Sequence, residues 1–159
     1  AIKHLSKEQI LSFLRRTSRN NARTPMQWND QDYAGFSTHE PHQKNVGNYP
    51  LINVEKQKSE PNSILNTYRK LIRLRKDSKY SETLIYGDFK LIHPKDPNVF
   101  AYLRSYNGQE VMVICNFSKQ PNDFVLPKAY KHVIFNNYDN AHIRKTLHLK
   151  PYEAMIVEV

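Results

Sequence analysis

The run Ser18-Arg19-Asn20-Asn21-Ala22-Arg23-Thr24-Pro25-Met26-Gln27-Trp28-Asn29-Asp30 decides how this chain is read. Two arginines, amide side chains and the only tryptophan of the chain surround one proline, with almost no aliphatic content. Such a segment cannot form a core element, but it can line a polar pocket. An indole ring packs on the C–H face of a pyranose, while guanidinium and amide groups reach its hydroxyls.

The flanking sequence is equally irregular. From about Thr17 to Pro61 neither the helical nor the strand period persists, and a structureless stretch of that length is usually functional or disordered. Trp28, Tyr33, Phe36, Tyr49 and Leu51 need somewhere to pack, which favours an ordered functional loop. On its N-terminal side, Ser6-Lys7-Glu8-Gln9 has the form of a capping box. Ile10, Leu11, Phe13 and Leu14 follow as an apolar stripe, and Arg15-Arg16 suit a helix C-terminus. On its C-terminal side, Pro61-Asn62-Ser63 opens a second predicted helix carrying Ile64, Leu65, Tyr68, Leu71, Ile72 and Leu74, ending near Asp77-Ser78. The stripe Ile64, Tyr68, Leu71, Ile72 requires a partner, and the only other helix expected is the first.

From Tyr86 onward the pattern is that of strands. They are expected at Phe89–His93, Val99–Arg104, Glu110–Phe117, Asp123–Leu126, His132–Asn136, Thr146–Leu149 and Ala154–Val159. Turn signals separate them: Pro94 to Asn98, Asn107-Gly108, Pro121-Asn122, Asp139-Asn140 and Pro151. Short strands at this spacing predict an antiparallel sandwich or barrel, with Asn107-Gly108 the clearest hairpin turn. Val111–Cys115 is apolar at every position and reads as a central strand. Cys115 within it reads as a small buried hydrophobe. Phe100, Phe117 and Phe135 fall at strand spacing and read as core, leaving the sandwich no exposed aromatic strip.

Composition bounds the function. Hydrophobic content of 39% and charged content of 25% are globular values. The net charge of +9 suggests nucleic acid, but the basic residues are dispersed and densest on a predicted helix, so nucleic-acid binding is not expected. No apolar run is long enough for a membrane span and no signal-peptide pattern opens the chain. A single cysteine leaves no disulfide framework, which fits a cytoplasmic location. The histidines are scattered, four glycines provide no phosphate loop, and neither a metal site nor a cofactor is expected. Glu8, Asp30, Asp32, Glu40, Glu55 and Glu60 form no recognisable catalytic pair, and Asp30 and Asp32 suit turn chemistry or a charged rim. The inventory yields no catalytic residue.

Ser18–Asp30 closely resembles the SRDNARTPMQWD signature of α-glucosidases in glycoside hydrolase family 13, the oligo-1,6-glucosidase and trehalose-6-phosphate hydrolase group. Ala34-Gly35-Phe36, Ile52-Asn53-Val54, Tyr68–Lys76 and Leu149-Lys150-Pro151-Tyr152-Glu153-Ala154-Met155 extend the likeness. The resemblance implies an α+β piece: two helices and a long loop from the end of a (β/α)8 barrel, followed by an antiparallel β-sandwich, domain C. Residues 1–80 then correspond to the end of the catalytic barrel and 81–159 to domain C. The absence of an initial methionine fits a piece of a longer chain.

In that family the nucleophile, acid/base and second aspartate precede this segment, which accounts for the missing carboxylates. The resemblance implies an α-gluco-oligosaccharide substrate, with Arg23 contacting the hydroxyls of the terminal glucose. Asn21 and Gln27 would hold the loop, and Trp28 would serve as packing anchor or sugar platform. Asn20 and Asn29 stand where the family usually carries aspartate, and His42 where tryptophan is common, which bears on substrate identity. A reading of another class is a free-standing sandwich that binds carbohydrate or protein without chemistry.

Overall fold

The computed structural model describes residues 5–18, 22–138 and 145–159. The chain divides into two compact units, Ala1–Tyr68 and Arg69–Val159.

In the first unit, helix α1 spans Lys7–Thr17 and starts with the expected capping box. The Ser6 hydroxyl accepts from the Gln9 amide at 3.3 Å, and the Gln9 side chain accepts from the Ser6 amide at 2.9 Å. No residue of α1 is buried. The stretch expected to lack regular structure contains a 3-10 turn at Asp32–Gly35 and a short helix α2 at Val54–Ser59. Helix α2 has no apolar period because it is only six residues long, and its start is fixed by a side-chain cap rather than by packing. Asn53 is buried, and its side-chain oxygen accepts from the Lys56 amide at 2.9 Å. Helix α3, Ile64–Asp77, which runs past Tyr68 into the second unit, begins similarly, with the Ser63 hydroxyl accepting from the Asn66 amide at 3.1 Å. Its stripe was expected to be buried, yet Ile64, Tyr68 and Ile72 are exposed.

The second unit is a sandwich of two antiparallel sheets. All seven expected strands form: β1 Asp88–Ile92, β2 Val99–Tyr106, β3 Gln109–Asn116, β4 Asn122–Val125, β5 His132–Asn136, β6 Thr146–Leu149 and β7 Ala154–Glu158. The larger sheet has the order β1-β2-β3-β7-β5 and the smaller pairs β4 with β6. Asn107 and Gly108 both take positive φ, 47° and 78°, as a type I′ hairpin turn between β2 and β3 demands. The expected turn at Asp139-Asn140 lies outside the described residues. Alternate residues of β2, β3 and β7 (Val99, Ala101, Leu103; Met112, Ile114; Met155, Val157) meet Phe124, Leu126, Leu147 and Leu149 to form the core.

The opposite face of the larger sheet is partly covered by helix. A further helix, α4 at Ser81–Tyr86, precedes β1 and escaped the sequence reading because one and a half turns show no period. Tyr80 and Leu84 pack on Val111, joined by Leu74 at the end of α3 and by Ile134 and Ile156. Arg75 donates to the Leu84 carbonyl at 3.0 Å and Arg104 to the Ile85 carbonyl at 3.1 Å, supplying partners to the end of α4. A Cβ on Gly87 would lie 2.5 Å from the Thr83 carbonyl oxygen and 2.9 Å from that of Ser105, so glycine permits this close approach to β2. Strand β3 is thus buried on both faces, with Val111 and Met112 fully inaccessible.

Phe100 and Phe117 were expected in the core. They are 45% and 69% exposed, because the inward positions of β2 belong to Val99, Ala101 and Leu103, and Phe117 lies just beyond β3. Phe135 is half-buried, beside a register irregularity between Val133 and Phe135.

Candidate functional site

The segment Arg23–Gln57 is built by backbone pairing rather than by a core. The Val54 amide donates to the Gln27 carbonyl at 2.9 Å and the Glu55 amide to that of Trp28 at 3.0 Å, laying the start of α2 along Gln27-Trp28. Those donors are among the unpaired amides of a helix N-terminus, so the loop satisfies them. The Gln27 side chain closes the arrangement, its amide nitrogen donating to the Ile52 carbonyl at 2.6 Å. Asn53 adds a bond from its side-chain nitrogen to the Tyr49 carbonyl at 2.7 Å. Between these segments lies an open cleft of about 260 Å3, lined by Thr24, Pro25, Met26, Gln27, Ile52 and Gln57, among others.

Beyond Trp28 the chain turns back on itself. The amides of Trp28 and Asn29 both donate to the Ala34 carbonyl, at 2.9 and 3.2 Å. Reaching that geometry takes three consecutive left-handed residues: Tyr33, Ala34 and Gly35, at φ 53°, 60° and 64°. Left-handed backbone costs about 1–2 kcal/mol at a non-glycine residue, so this turn must be held by its surroundings. Ala34 is fully buried. The Asn29 side chain accepts from the Gln31 amide at 3.1 Å and lies so close over Gly35 that a Cβ there would sit 2.5 Å from its oxygen. A carboxylate would accept the same hydrogen bond, so asparagine at position 29 preserves the turn. Asp30 accepts from the Gln31 side chain at 3.1 Å.

Of the residues singled out from the sequence, Gln27 is half-buried and serves the loop backbone. Trp28 is 49% exposed, its backbone fixed on both sides and its ring free to meet a further surface. Arg23 is exposed, and its guanidinium has no hydrogen bond or ion pair among the described residues. Asn21 lies outside the described residues, as do Arg19 and Asn20. His42 is exposed. Sequence reasoning missed Asn53 and the Asn29–Gly35 contact. The first was legible in Asn53-Val54-Glu55, a cap followed by an acid in the first turn.

Among the described residues no three of His, Cys, Asp and Glu gather as a metal site, and no helix is long and apolar enough to cross a membrane. Burial raises the Cys115 thiol above its ordinary pKa, in keeping with a packing role.

Among the described residues, a loop with an unpaired arginine, a half-exposed tryptophan and no paired carboxylates can bind one side of a polyol but cannot by itself cleave it. Comparison with known proteins fits that description. Residues 2–87 match the alpha amylase catalytic domain, and residues 99–156 match the alpha-amylase SusG C-terminal domain. The chain belongs to the α-amylase family, glycoside hydrolase family 13.

Among its relatives is an oligo-1,6-glucosidase of Bacillus cereus, 40% identical over 158 residues, 96% of this chain and 28% of that protein. A trehalose-6-phosphate hydrolase of Escherichia coli K12 is 35% identical over 151 residues, 93% of this chain and 27% of its own. Among solved structures, an isomaltulose synthase from Erwinia rhapontici NX5, captured with its substrate sucrose, superimposes with a TM-score of 0.87 at 33% identity. That match covers 97% of this chain and 28% of the synthase. The chain therefore spans little more than a quarter of the length of the relatives it matches.

Proposed function

We propose that this chain is the C-terminal part of a retaining α-glucosidase that hydrolyses short α-1,6-linked gluco-oligosaccharides. On this reading residues 1–80 end the catalytic barrel, residues 81–159 are domain C, and the nucleophile and acid/base lie in a portion this chain does not include. The enzyme works in the cytoplasm, a location favoured by the lone cysteine, which can form no disulfide within the chain. The observation that carries the reading is the continuous likeness to oligo-1,6-glucosidases, 35–40% identical, across a chain whose own loop offers binding groups without catalytic ones.

Within the loop, Arg23 engages hydroxyls of the non-reducing-end glucose. A guanidinium supplies a rigid fork of donors suited to adjacent hydroxyls, and that of Arg23 is not consumed by any described neighbour. Gln27 and Asn21 hold the loop, and Trp28 offers its exposed ring as a wall. The second reading, a trehalose-6-phosphate hydrolase, is favoured by the relative of that activity at 35% identity.

The test is a graft in which this chain replaces the matching 28% of the Bacillus cereus enzyme. Turnover of isomaltose over trehalose 6-phosphate supports the first reading, and the reverse order supports the second. Conversion of sucrose to an isomer, without hydrolysis of either, overturns both. Arg23→Ala in the graft should lower kcat/KM on isomaltose about 50-fold, the size expected for one lost charged hydrogen bond. Unchanged kinetics would remove Arg23 from the site.

A further inference from the structure

The turn that closes the β2–β3 hairpin brings together the two groups of a spontaneous reaction. Asn107-Gly108 is the one place in the chain where glycine follows asparagine. Both residues are exposed and left-handed, at φ 47° and 78°. In a two-residue hairpin loop the flanking pair, here Tyr106 and Gln109, takes up the ladder bonds. The Gly108 amide is left without an acceptor among the described residues, and the Asn107 side chain without a partner. Nothing crowds the pair: a Cβ on Gly108 would meet no atom beyond its two chain neighbours within 4 Å. Every other asparagine is followed by a residue whose side chain hinders its amide nitrogen. Several are also held, as Asn53, Asn66 and Asn116 donate their side-chain nitrogens to carbonyls.

These groups define a chemistry. The Gly108 nitrogen, having lost its proton to hydroxide, adds to the side-chain carbonyl carbon of Asn107. The new C–N bond closes a succinimide ring, the bond to Nδ2 breaks, and Nδ2 takes a proton from water and leaves as ammonia. Water then opens the ring. Attack at the side-chain carbonyl gives aspartate, and attack at the main-chain carbonyl gives isoaspartate, whose backbone runs through the former side chain.

We propose that Asn107-Gly108 is a site of spontaneous deamidation in the folded chain, which converts the hairpin turn to aspartate and isoaspartate. The two products differ in consequence. Aspartate tolerates left-handed backbone as asparagine does, so the turn stands. Isoaspartate adds a methylene to the backbone of a loop whose length sets the register. That register aligns Tyr106 with Gln109 and Ser105 with Glu110 at the head of two central strands. The Gln109 side chain also accepts from the Thr83 hydroxyl at 2.5 Å, so a slipped register loosens α4 from β3. The site lies wholly in the sandwich and holds whatever substrate the Arg23 loop takes.

The 159-residue chain, aged in folded form at mildly alkaline pH, should lose Asn107 at least about tenfold faster than its Gly108→Asn variant, a barrier lower by about 1.4 kcal/mol. Peptide mass spectrometry, with fragmentation that separates aspartyl from isoaspartyl residues, reads both rate and product. Asparagine also accepts a positive φ, so the variant keeps the turn, which its urea midpoint before ageing checks. The isoaspartyl fraction should unfold at lower urea than fresh chain, whereas Asn107→Asp, with the same charge on an ordinary backbone, should match it. Equal rates in chain and variant overturn the proposal. So does conversion of another asparagine ahead of Asn107, an outcome read on the unaltered chain without any variant. Conversion that begins only once urea unfolds the sandwich overturns it as well, since the turn then protects the pair. An isoaspartyl fraction as stable as fresh chain overturns the slip of register.

Discussion

The Arg69–Val159 unit closes an apolar core within itself, whereas the described part of the Ala1–Tyr68 unit leaves most of its apolar side chains in solvent. In the sandwich, Met112, Ile114, Leu149 and Val157 are inaccessible or nearly so. In the first unit α1 and α2 bury no residue at all, and Leu11, Phe13, Met26, Trp28 and Ile52 stand exposed. What holds that unit is hydrogen bonding: the caps at Ser6, Asn53 and Ser63, the Gln27 bridge and the turn closed on Ala34. Net hydrogen-bond stabilisation is about 1 kcal/mol each, while burial of one large side chain contributes roughly 1.5–3 kcal/mol. The sandwich is therefore built to fold on its own, and the first unit is built to be finished by other surfaces.

The sharpest way to break this comparison is to hollow the sandwich core. Met112→Ala should destabilise the Arg69–Val159 unit by about 3 kcal/mol, the usual cost of removing a buried long side chain. Urea titration followed by far-ultraviolet circular dichroism would register it. Fluorescence of Trp28, the only tryptophan, should shift little across that transition, since its ring is already half in solvent. A Trp28 signal that tracks the sandwich transition would mean the units unfold together.

Next in size is the one buried side-chain amide among the described residues of the sandwich. Asn116 is 2% exposed and fully bonded. Its nitrogen donates to the carbonyls of Gln120 and Lys150, both at 2.9 Å, and its oxygen accepts from Ser118 at 2.9 Å and Asn122 at 3.1 Å. It ties the end of β3 to the turn before β7. Asn116→Ala orphans several of these groups and should cost about 2 kcal/mol by the same titration. A loss under about 0.5 kcal/mol would mean that water replaces the amide at no cost.

How far the molecule was legible follows the same division. Strands β1 to β7 were readable because each has alternating or, as in β3, continuous apolar residues set off by turn residues. The strands misled only where covering matters: Phe100 has the spacing of a core residue, but periodicity cannot say which of two sheet faces is filled from within. Among the helices, α1 and α3 were visible through caps and stripes. Helices α2 and α4 were not, because six residues carry no period and their ends are set by single side-chain bonds from Asn53, Arg75 and Arg104. At the candidate site, Arg23 and Trp28 stood out as residue types. The contact of Asn29 with Gly35 depends on three successive left-handed residues, which no local pattern announces.

A smaller effect tests the first unit alone. Gly35→Ala places a methyl group 2.5 Å from the Asn29 oxygen at φ +64°, so Asn29 must rotate and release the Gln31 amide. The local cost is about 1–2 kcal/mol. Hydrogen exchange at the Trp28 and Asn29 amides, which both donate to Ala34, should speed up about tenfold. The urea midpoint of the sandwich should not move. A shift in that midpoint would show the first unit to be coupled to the second.

The smallest expected effect concerns the polar seam that fastens the turn after α3 to the sandwich. The Tyr80 hydroxyl donates to Glu158 at 2.7 Å and meets the His132 ring nitrogen at 2.6 Å, so the histidine must donate to the phenol oxygen. Lys79 and Lys131 each approach the same carboxylate at 3.5 Å. The Tyr80 hydrogen bond, helped by the two lysines, holds Glu158 below its ordinary value of 4.5, outweighing desolvation. A carboxyl whose folded pKa is depressed stabilises the fold above its unfolded pKa, and that contribution is lost as pH falls through the folded value. Glu158→Gln keeps an acceptor for Tyr80 but abolishes the titration. The variant should be slightly less stable than the parent at pH 7, and the two should converge as pH falls below 4.5 through the depressed folded value. Because Lys79 and Lys131 are largely exposed, added salt should narrow the gap at pH 7. A gap that persists unchanged at pH 3 would show that Glu158 acts through its shape and not its charge, leaving Tyr80 and Leu84 as apolar contacts to hold the helices on the sheet.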